Sequence, residues 1–148
     1  CGSQGTYDAH GGQAGLHHML LDDLSRALAA FDAAMNALGV SSQVTTFTLS
    51  DFNRTFRVNA NAGTDHAWGG HQIVMGGAVK GGTFYGTFPT LAIGGPDDAG
   101  DEGQWIPTTA LDQVGATLAR WFGVPASELA AVFPNLPAFA TSDLGFMA

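Results

Sequence analysis

Leu16, Leu20, Leu24, Leu28, Phe31, Met35 and Leu38 recur at steps of three and four, which puts them on one stripe of a long helix. Gly39 stops the run, as a residue free to turn left-handed does just past a helix end. A helix with one apolar stripe needs a second layer to lie on, and the chain offers few strands to build one. Val44-Thr45-Thr46-Phe47-Thr48-Leu49 is short, β-branched and apolar, which predicts a strand buried on both faces, as in a parallel sheet. Gln72 to Met75 and Thr83 to Phe88 predict two more short strands. The turn Gly76-Gly77-Ala78-Val79-Lys80-Gly81-Gly82 joins them as a hairpin or bulge. It lacks the Gly-Lys-Ser/Thr end of a phosphate loop and opens no helix. Two or three strands cannot make a covered parallel sheet alone. The expectation is one partial α/β domain over 1–148, with further strands lying upstream or supplied by another chain.

The remaining segments read more simply. Residues 94–104 are a surface loop with clustered carboxylates. A second helix is predicted from Thr109, with Asp112 as a capping partner three residues on. Its buried face is read as Leu111, Val114, Leu118, Trp121 and Phe122, and Gly123 ends it. Pro125 to Phe133 predicts a short third helix, and 135–148 a coil tail.

Composition removes several functions. The chain has 148 residues, with 13 acidic and 5 basic side chains, a formal charge of −8. So few cations argue against a nucleic-acid partner, which must be met by Lys and Arg that displace counterions. They also disfavour an anionic membrane surface. No apolar run approaches the ~18 residues that a membrane span needs. Cys1 is the single cysteine, so internal disulfides and cysteine-based zinc clusters are excluded. Cys1 itself reads as an ordinary residue at a truncation point, a lipidated residue or a cloning remnant.

The side chains that could carry chemistry are mostly histidines near loops and helix starts: His10, His17, His18, His66 and His71. Asp8-Ala9-His10 and Asp65-His66 pair imidazole with carboxylate, a donor set that suits zinc or manganese. A bound divalent ion would activate water or polarise a phosphoryl or sulfuryl oxygen. The same Asp-x-His can also close a turn through side-chain to backbone bonds, and spacing leaves both readings open. His17 borders the apolar stripe of the first helix, whereas His18 points away from it. Arg54 follows the first strand and reads either as a fork for an anionic group or as a salt bridge. Asp97, Asp98 and Asp101 make calcium possible through oxygen ligands, against a plain solvated loop. No Gly-x-Ser-x-Gly elbow is present.

Taken in order, Tyr7-Asp8-Ala9-His10-Gly11, Ser50-Asp51-Phe52-Asn53-Arg54-Thr55, Gly63-Thr64-Asp65-His66-Ala67-Trp68-Gly69-Gly70-His71, the glycine-rich turn at 76–82 and Pro107-Thr108-Thr109 through Val124 resemble the C-terminal half of an uncharacterised family. Its members are exported bacterial proteins, often with twin-arginine signals, within the alkaline phosphatase and sulfatase superfamily. The resemblance implies a three-layer α/β/α fold, of which this chain holds only the C-terminal part of the sheet. It implies a metal site at the C-terminal edge of that sheet, periplasmic or secreted localisation, and hydrolysis of a phosphate or sulfate ester. The substrate would be an anionic small molecule or a sulfated or phosphorylated polymer. By analogy, Asp8, His10, Asp51 and His66 fall at metal-ligand segments, and His17 can substitute where the Asp8 to His10 spacing departs from the superfamily's. Asp65 would orient His66, Arg54 would hold the ester and His71 would face the cleft. Phe52 stands where the second residue of an Asp-His pair is expected. The nucleophile belongs to the N-terminal half in this superfamily. A non-catalytic binding or structural protein on the same scaffold is the alternative.

Overall fold

The computed structural model describes residues 6–148; Cys1 and its readings lie outside the described residues. Helix α1 spans Gln13–Ala37, roughly 37 Å at 1.5 Å per residue. Its first N–H groups have no side-chain cap. A neighbouring turn satisfies them instead: Gly12 N–H donates to Asn61 O at 3.0 Å and Gln13 N–H to Ala62 O at 2.9 Å. At the far end Gly39 turns left-handed at φ 71°. Gly39 N–H then reaches Asn36 O and Val40 N–H reaches Met35 O, the paired bonds of a Schellman stop. The helix that the leucine spacing predicts is therefore present, with Leu20 buried and Leu16, Leu24, Leu28 and Met35 half-buried.

The strands correct the parallel-sheet expectation. β1 (Thr45–Phe47) pairs antiparallel with β4 (Val74–Gly76). β2 (Asn53–Arg54) pairs antiparallel with β3 (His66–Ala67). A strand buried on both faces needs a layer on each side. Here the end of α1 lies on one side only, with Phe31 and Met35 facing Val44, Thr46 and Met75. Phe47, Leu49 and Ile73 stay exposed. Mixed α/β content is what the chain has.

Thr83 to Phe88 is not a strand, and the 76–82 turn is not a hairpin between strands. Instead the chain's end pins that turn. Lys80 N–H donates to Phe146 O and Ala148 N–H to Ala78 O, both at 2.8 Å, and Val79 bridges Met147. The tail is thus tied down, although it is mostly irregular and carries one 3-10 turn at Leu136–Ala138.

Helix α2 begins two residues later than predicted, at Leu111, and ends at Phe122. Its cap is Gln113, not Asp112: Ala110 N–H donates to Gln113 Oε1 at 3.1 Å. The buried face also differs. Gln113, Ala116 and Thr117 turn inward while Leu111 and Phe122 are exposed. Polar bonds explain the choice. Thr117 Oγ1 donates to Gln113 O and accepts Leu144 N–H, and Gln113 Nε2 donates to Thr141 O. Both buried groups are paired, and the pairing rotates α2 toward the tail. Ala116, Leu129 of helix α3 (Leu129–Val132) and Leu136 form the core there, with Ala119, Val124 and Phe133 against it.

The acidic loop is organised by one side chain. Asp98 Oδ2 accepts Gly94 N–H at 3.0 Å and Gly103 N–H at 2.9 Å; Oδ1 accepts Gly100 N–H at 3.2 Å and Gln104 N–H at 2.9 Å. Asp97 Oδ2 takes Thr90 N–H at 2.7 Å. These carboxylates serve backbone donors, an arrangement that needs no calcium to explain it. Burial pushes the Asp98 carboxyl up, but its four N–H partners outweigh that and bring it down to about 2. The stabilisation is therefore whole above 3.8, the ordinary value, and is lost as pH falls toward about 2. Asp98→Asn is expected to lower the thermal midpoint near neutral pH and to remove this acid dependence. Melting curves of both proteins across the acid range check it, and identical curves contradict it.

Candidate metal centre

Three remote stretches meet at the β2–β3 pair. In its register Arg54 lies opposite His66, so the strand pairing alone puts the guanidinium and one imidazole side by side. Asp8 and His10 arrive from the segment before α1. Their backbone is drawn in by Thr64 N–H, which donates to Ala9 O at 3.2 Å, and by the helix-start bonds to Asn61 and Ala62. Gly63 permits the approach: a Cβ there would overlap the backbone of His10 and Gly11. Asn59 shapes the turn between, accepting the N–H groups of Asn61 and Gly63 on Oδ1, each at 3.0 Å.

The result is a tight group. Asp8 Oδ1 lies 2.9 Å from His66 Nε2 and 3.0 Å from His10 Nε2, and the two imidazole nitrogens lie 3.1 Å apart. Asp8 is half-buried while both imidazoles are about half exposed, so the group is open on one side. His10 Nδ1 meets Asp65 Oδ1 at 2.8 Å. A carboxylate there accepts the Nδ1–H, which in a neutral ring leaves Nε2 with its lone pair facing the group. Asn59 Nδ2 donates to the same Asp65 oxygen at 3.1 Å. Asp65 therefore orients His10, which corrects the expectation that it orients His66. Phe52 braces His66 instead, stacked on it at 3.8 Å.

Arg54 stands behind the carboxylate, with its side chain only 13% exposed. It donates to Asp8 Oδ1 through Nη1, to Thr64 O through Nη2 and to Thr64 Oγ1 through Nε at 3.0 Å. Of the five guanidinium N–H groups, two remain after these three bonds. The salt-bridge reading of Arg54 thus describes this structure. Hydrogen bonds from His66 and then Arg54 hold the Asp8 carboxyl below its ordinary 3.8. Those from His10 and Asn59 do the same for Asp65.

The other candidates lie outside the group. His17 is fully engaged: Nε2 meets Tyr7 O at 3.0 Å, and Nδ1 accepts from Gln13 Nε2 at 3.2 Å. Asp51 is exposed, in a bend just before β2, where Phe52 rather than Asp51 turns toward His66. His71 stacks on Phe88 at 4.9 Å, in a cleft of its own. Sequence reasoning missed Thr64, Gln13 and Asn59. The Asn59-Ala60-Asn61-Ala62-Gly63 run carried a signal for the last, since an asparagine side chain often accepts the backbone N–H two residues on, as Asn59 does from Asn61.

The donor set fits a divalent ion. Ligands at ~2.0–2.1 Å around a tetrahedral ion stand about 3.3 Å apart, against 2.9, 3.0 and 3.1 Å here. Asp8, His10 and His66 are the residues whose ligand atoms converge in this way among the described residues. The three side chains leave one side of the group open.

A family model described as Protein of unknown function (DUF1501) matches residues 2–116. No curated protein and no solved structure gives a match. Among the described residues no helix is long and apolar enough to cross a membrane.

Gly63→Ala is expected to cost roughly 1–3 kcal/mol, the range for forcing atoms into a packed contact, because the new methyl meets backbone that cannot swing aside. Urea unfolding checks it; an unchanged midpoint contradicts the close approach that delivers His10.

Proposed function

The chain belongs to the DUF1501 family, and on that premise we propose that it carries a divalent-metal centre for hydrolysis of a phosphate or sulfate ester. The observation that supports this most is the convergence of Asp8 Oδ1, His10 Nε2 and His66 Nε2 within 4.8 Å of one another. Zinc or manganese suits this oxygen and nitrogen set. When bound, such an ion supplies Lewis acidity toward the ester oxygen and lowers the pKa of water.

The chain's own residues do the rest. Asp65 fixes the His10 ring by its Nδ1, and Phe52 fixes the plane of His66. Arg54 neutralises Asp8 and keeps two N–H groups for an anionic oxygen. In the hydrolysis a water oxygen bonds to phosphorus or sulfur, the bond to the ester oxygen breaks, and the departing oxygen takes a proton to leave as the alcohol. The resemblance to the alkaline phosphatase and sulfatase superfamily, with its export to the periplasm or medium and a nucleophile on an N-terminal half or another chain, belongs to the same reading. A second reading, metal-dependent binding without turnover, is favoured by Phe52, which stands where that superfamily's second ligand of an Asp-His pair is expected.

Together with the N-terminal half or partner chain that carries the nucleophile, this chain is expected to bind zinc or manganese and to hydrolyse 4-nitrophenyl phosphate or sulfate; by itself it is expected to be inactive. Chelation would abolish turnover and re-addition of the ion restore it. Asp8→Asn and His66→Ala would abolish binding of the ion, whereas Asp65→Asn would weaken it roughly 10–100-fold, the usual effect of removing a carboxylate that orients a ligating histidine. Bound ion without turnover selects the second reading, and no bound ion ends both.

A further inference from the structure

A cleft of about 110 Å³ is lined by His71, Phe84, Tyr85, Phe88, Trp105 and Thr108 among others. A single water needs only ~10–15 Å³ by this measure. The cleft is next to the histidine group along the chain: Gly69 on its wall is three residues from His66, at most about 11 Å by backbone reach. It is also tied there, since Asn53 Nδ2 donates to Gly69 O at 2.7 Å and Arg54, the next residue, holds Asp8.

Among the described residues no Asp, Glu, Lys or Arg lines this cleft, so it offers an ion no fixed charge. Its rings stand open. Phe84 is 77% exposed and Phe88 51%, with Phe84 set edge-on to Phe88 at 5.7 Å and Phe88 stacked on His71. Apolar faces left in water in this way are unfavourable until something covers them. Three of the polar groups around them are already paired. Thr108 Oγ1 donates to Thr87 O and Tyr85 Oη to Lys80 O, each at 2.8 Å, and Trp105 O accepts Gly69 N–H at 2.9 Å. A sugar seated on these ring faces would lose hydration from its hydroxyls there. A flat aromatic ring loses no such bonds and offers faces and edges that match the walls.

We propose that this cleft binds an uncharged aromatic ring, and that the ester served by the metal centre is an aryl or benzyl ester with its ring seated here. The second half of that statement rests on the hydrolase reading; the first does not.

The test uses the full chain after chelation, so that no ion contributes. Ligand-observed NMR measures benzyl alcohol and methyl glucoside, both uncharged. Benzyl alcohol is expected to bind, and Phe84→Ala and Phe88→Ala each to weaken it roughly fivefold, the scale of one aromatic contact. Phe122→Ala, an exposed phenylalanine on α2 outside the cleft lining, serves as control and should leave it unchanged. Circular dichroism verifies that each variant is folded. Absence of binding, binding that ignores Phe84 and Phe88, or displacement of benzyl alcohol by methyl glucoside overturns the proposal. Benzyl and methyl phosphate, offered to the metal-loaded protein together with the part that carries the nucleophile, separate the two readings. Binding of benzyl alcohol without hydrolysis of either phosphate keeps the cleft and removes the hydrolase. Hydrolysis of both with equal KM keeps the hydrolase and overturns the seating of the ester's ring in this cleft.

Discussion

One carboxylate oxygen organises the centre of this protein. Asp8 Oδ1 receives the Arg54 guanidinium and faces the Nε2 atoms of His10 and His66. Arg54 is almost covered, and a covered cation without its partner is costly, so Asp8 is bound to the β2–β3 pair whatever else the site does. The hydrogen bonds from His66 and Arg54 that lower its carboxyl favour the ionised form, the form able to ligate an ion. The segment before α1, the β2 strand and the β3 strand are thereby tied at one point.

The rest of the local fold follows from that tie. The turn at 59–63 caps α1 through the carbonyls of Asn61 and Ala62, so the long helix and the histidine group share a foundation. A polar chain extends it: Arg54 Nε donates to Thr64 Oγ1, which donates to Gln13 Oε1, while the Gln13 amide reaches His17. His17 thus supports the centre from the first turn of α1. On the other side the Asp98 loop delivers Gly103, whose carbonyl accepts Phe56 N–H, and Trp105, whose carbonyl accepts Gly69 N–H. These bonds hold both strand ends and the cleft wall.

Local chemistry made α1, its glycine stop and the pairing of Asp8 with His10 legible in the sequence. Periodicity reports a face, and short contacts within a few residues report turns. What was hidden depended on distant partners. Val44 to Leu49 reads alike for parallel and antiparallel pairing, because composition records burial and not direction. Asp65 lies beside His66 in sequence yet serves His10, because the segment before α1, held by Thr64 N–H on Ala9 O, sets the His10 ring between the two, with Nδ1 at Asp65 and Nε2 at His66. Leu111 and Phe122 fit an apolar helical stripe, but the paired hydroxyl and amide of Thr117 and Gln113 take the inner side of α2. Asp51 seemed well placed after a strand, but that strand ends at Phe47 and β2 begins only at Asn53.

X-ray absorption at the metal edge probes the shared point most directly. In protein loaded with one equivalent of zinc, two imidazole nitrogens and a carboxylate oxygen at ~2.0–2.2 Å are expected, and in His66→Ala, which does not hold the ion, that imidazole scattering is lost. A first shell of water oxygens without imidazole scattering, or a spectrum that His66→Ala leaves untouched, would contradict a centre built from Asp8, His10 and His66.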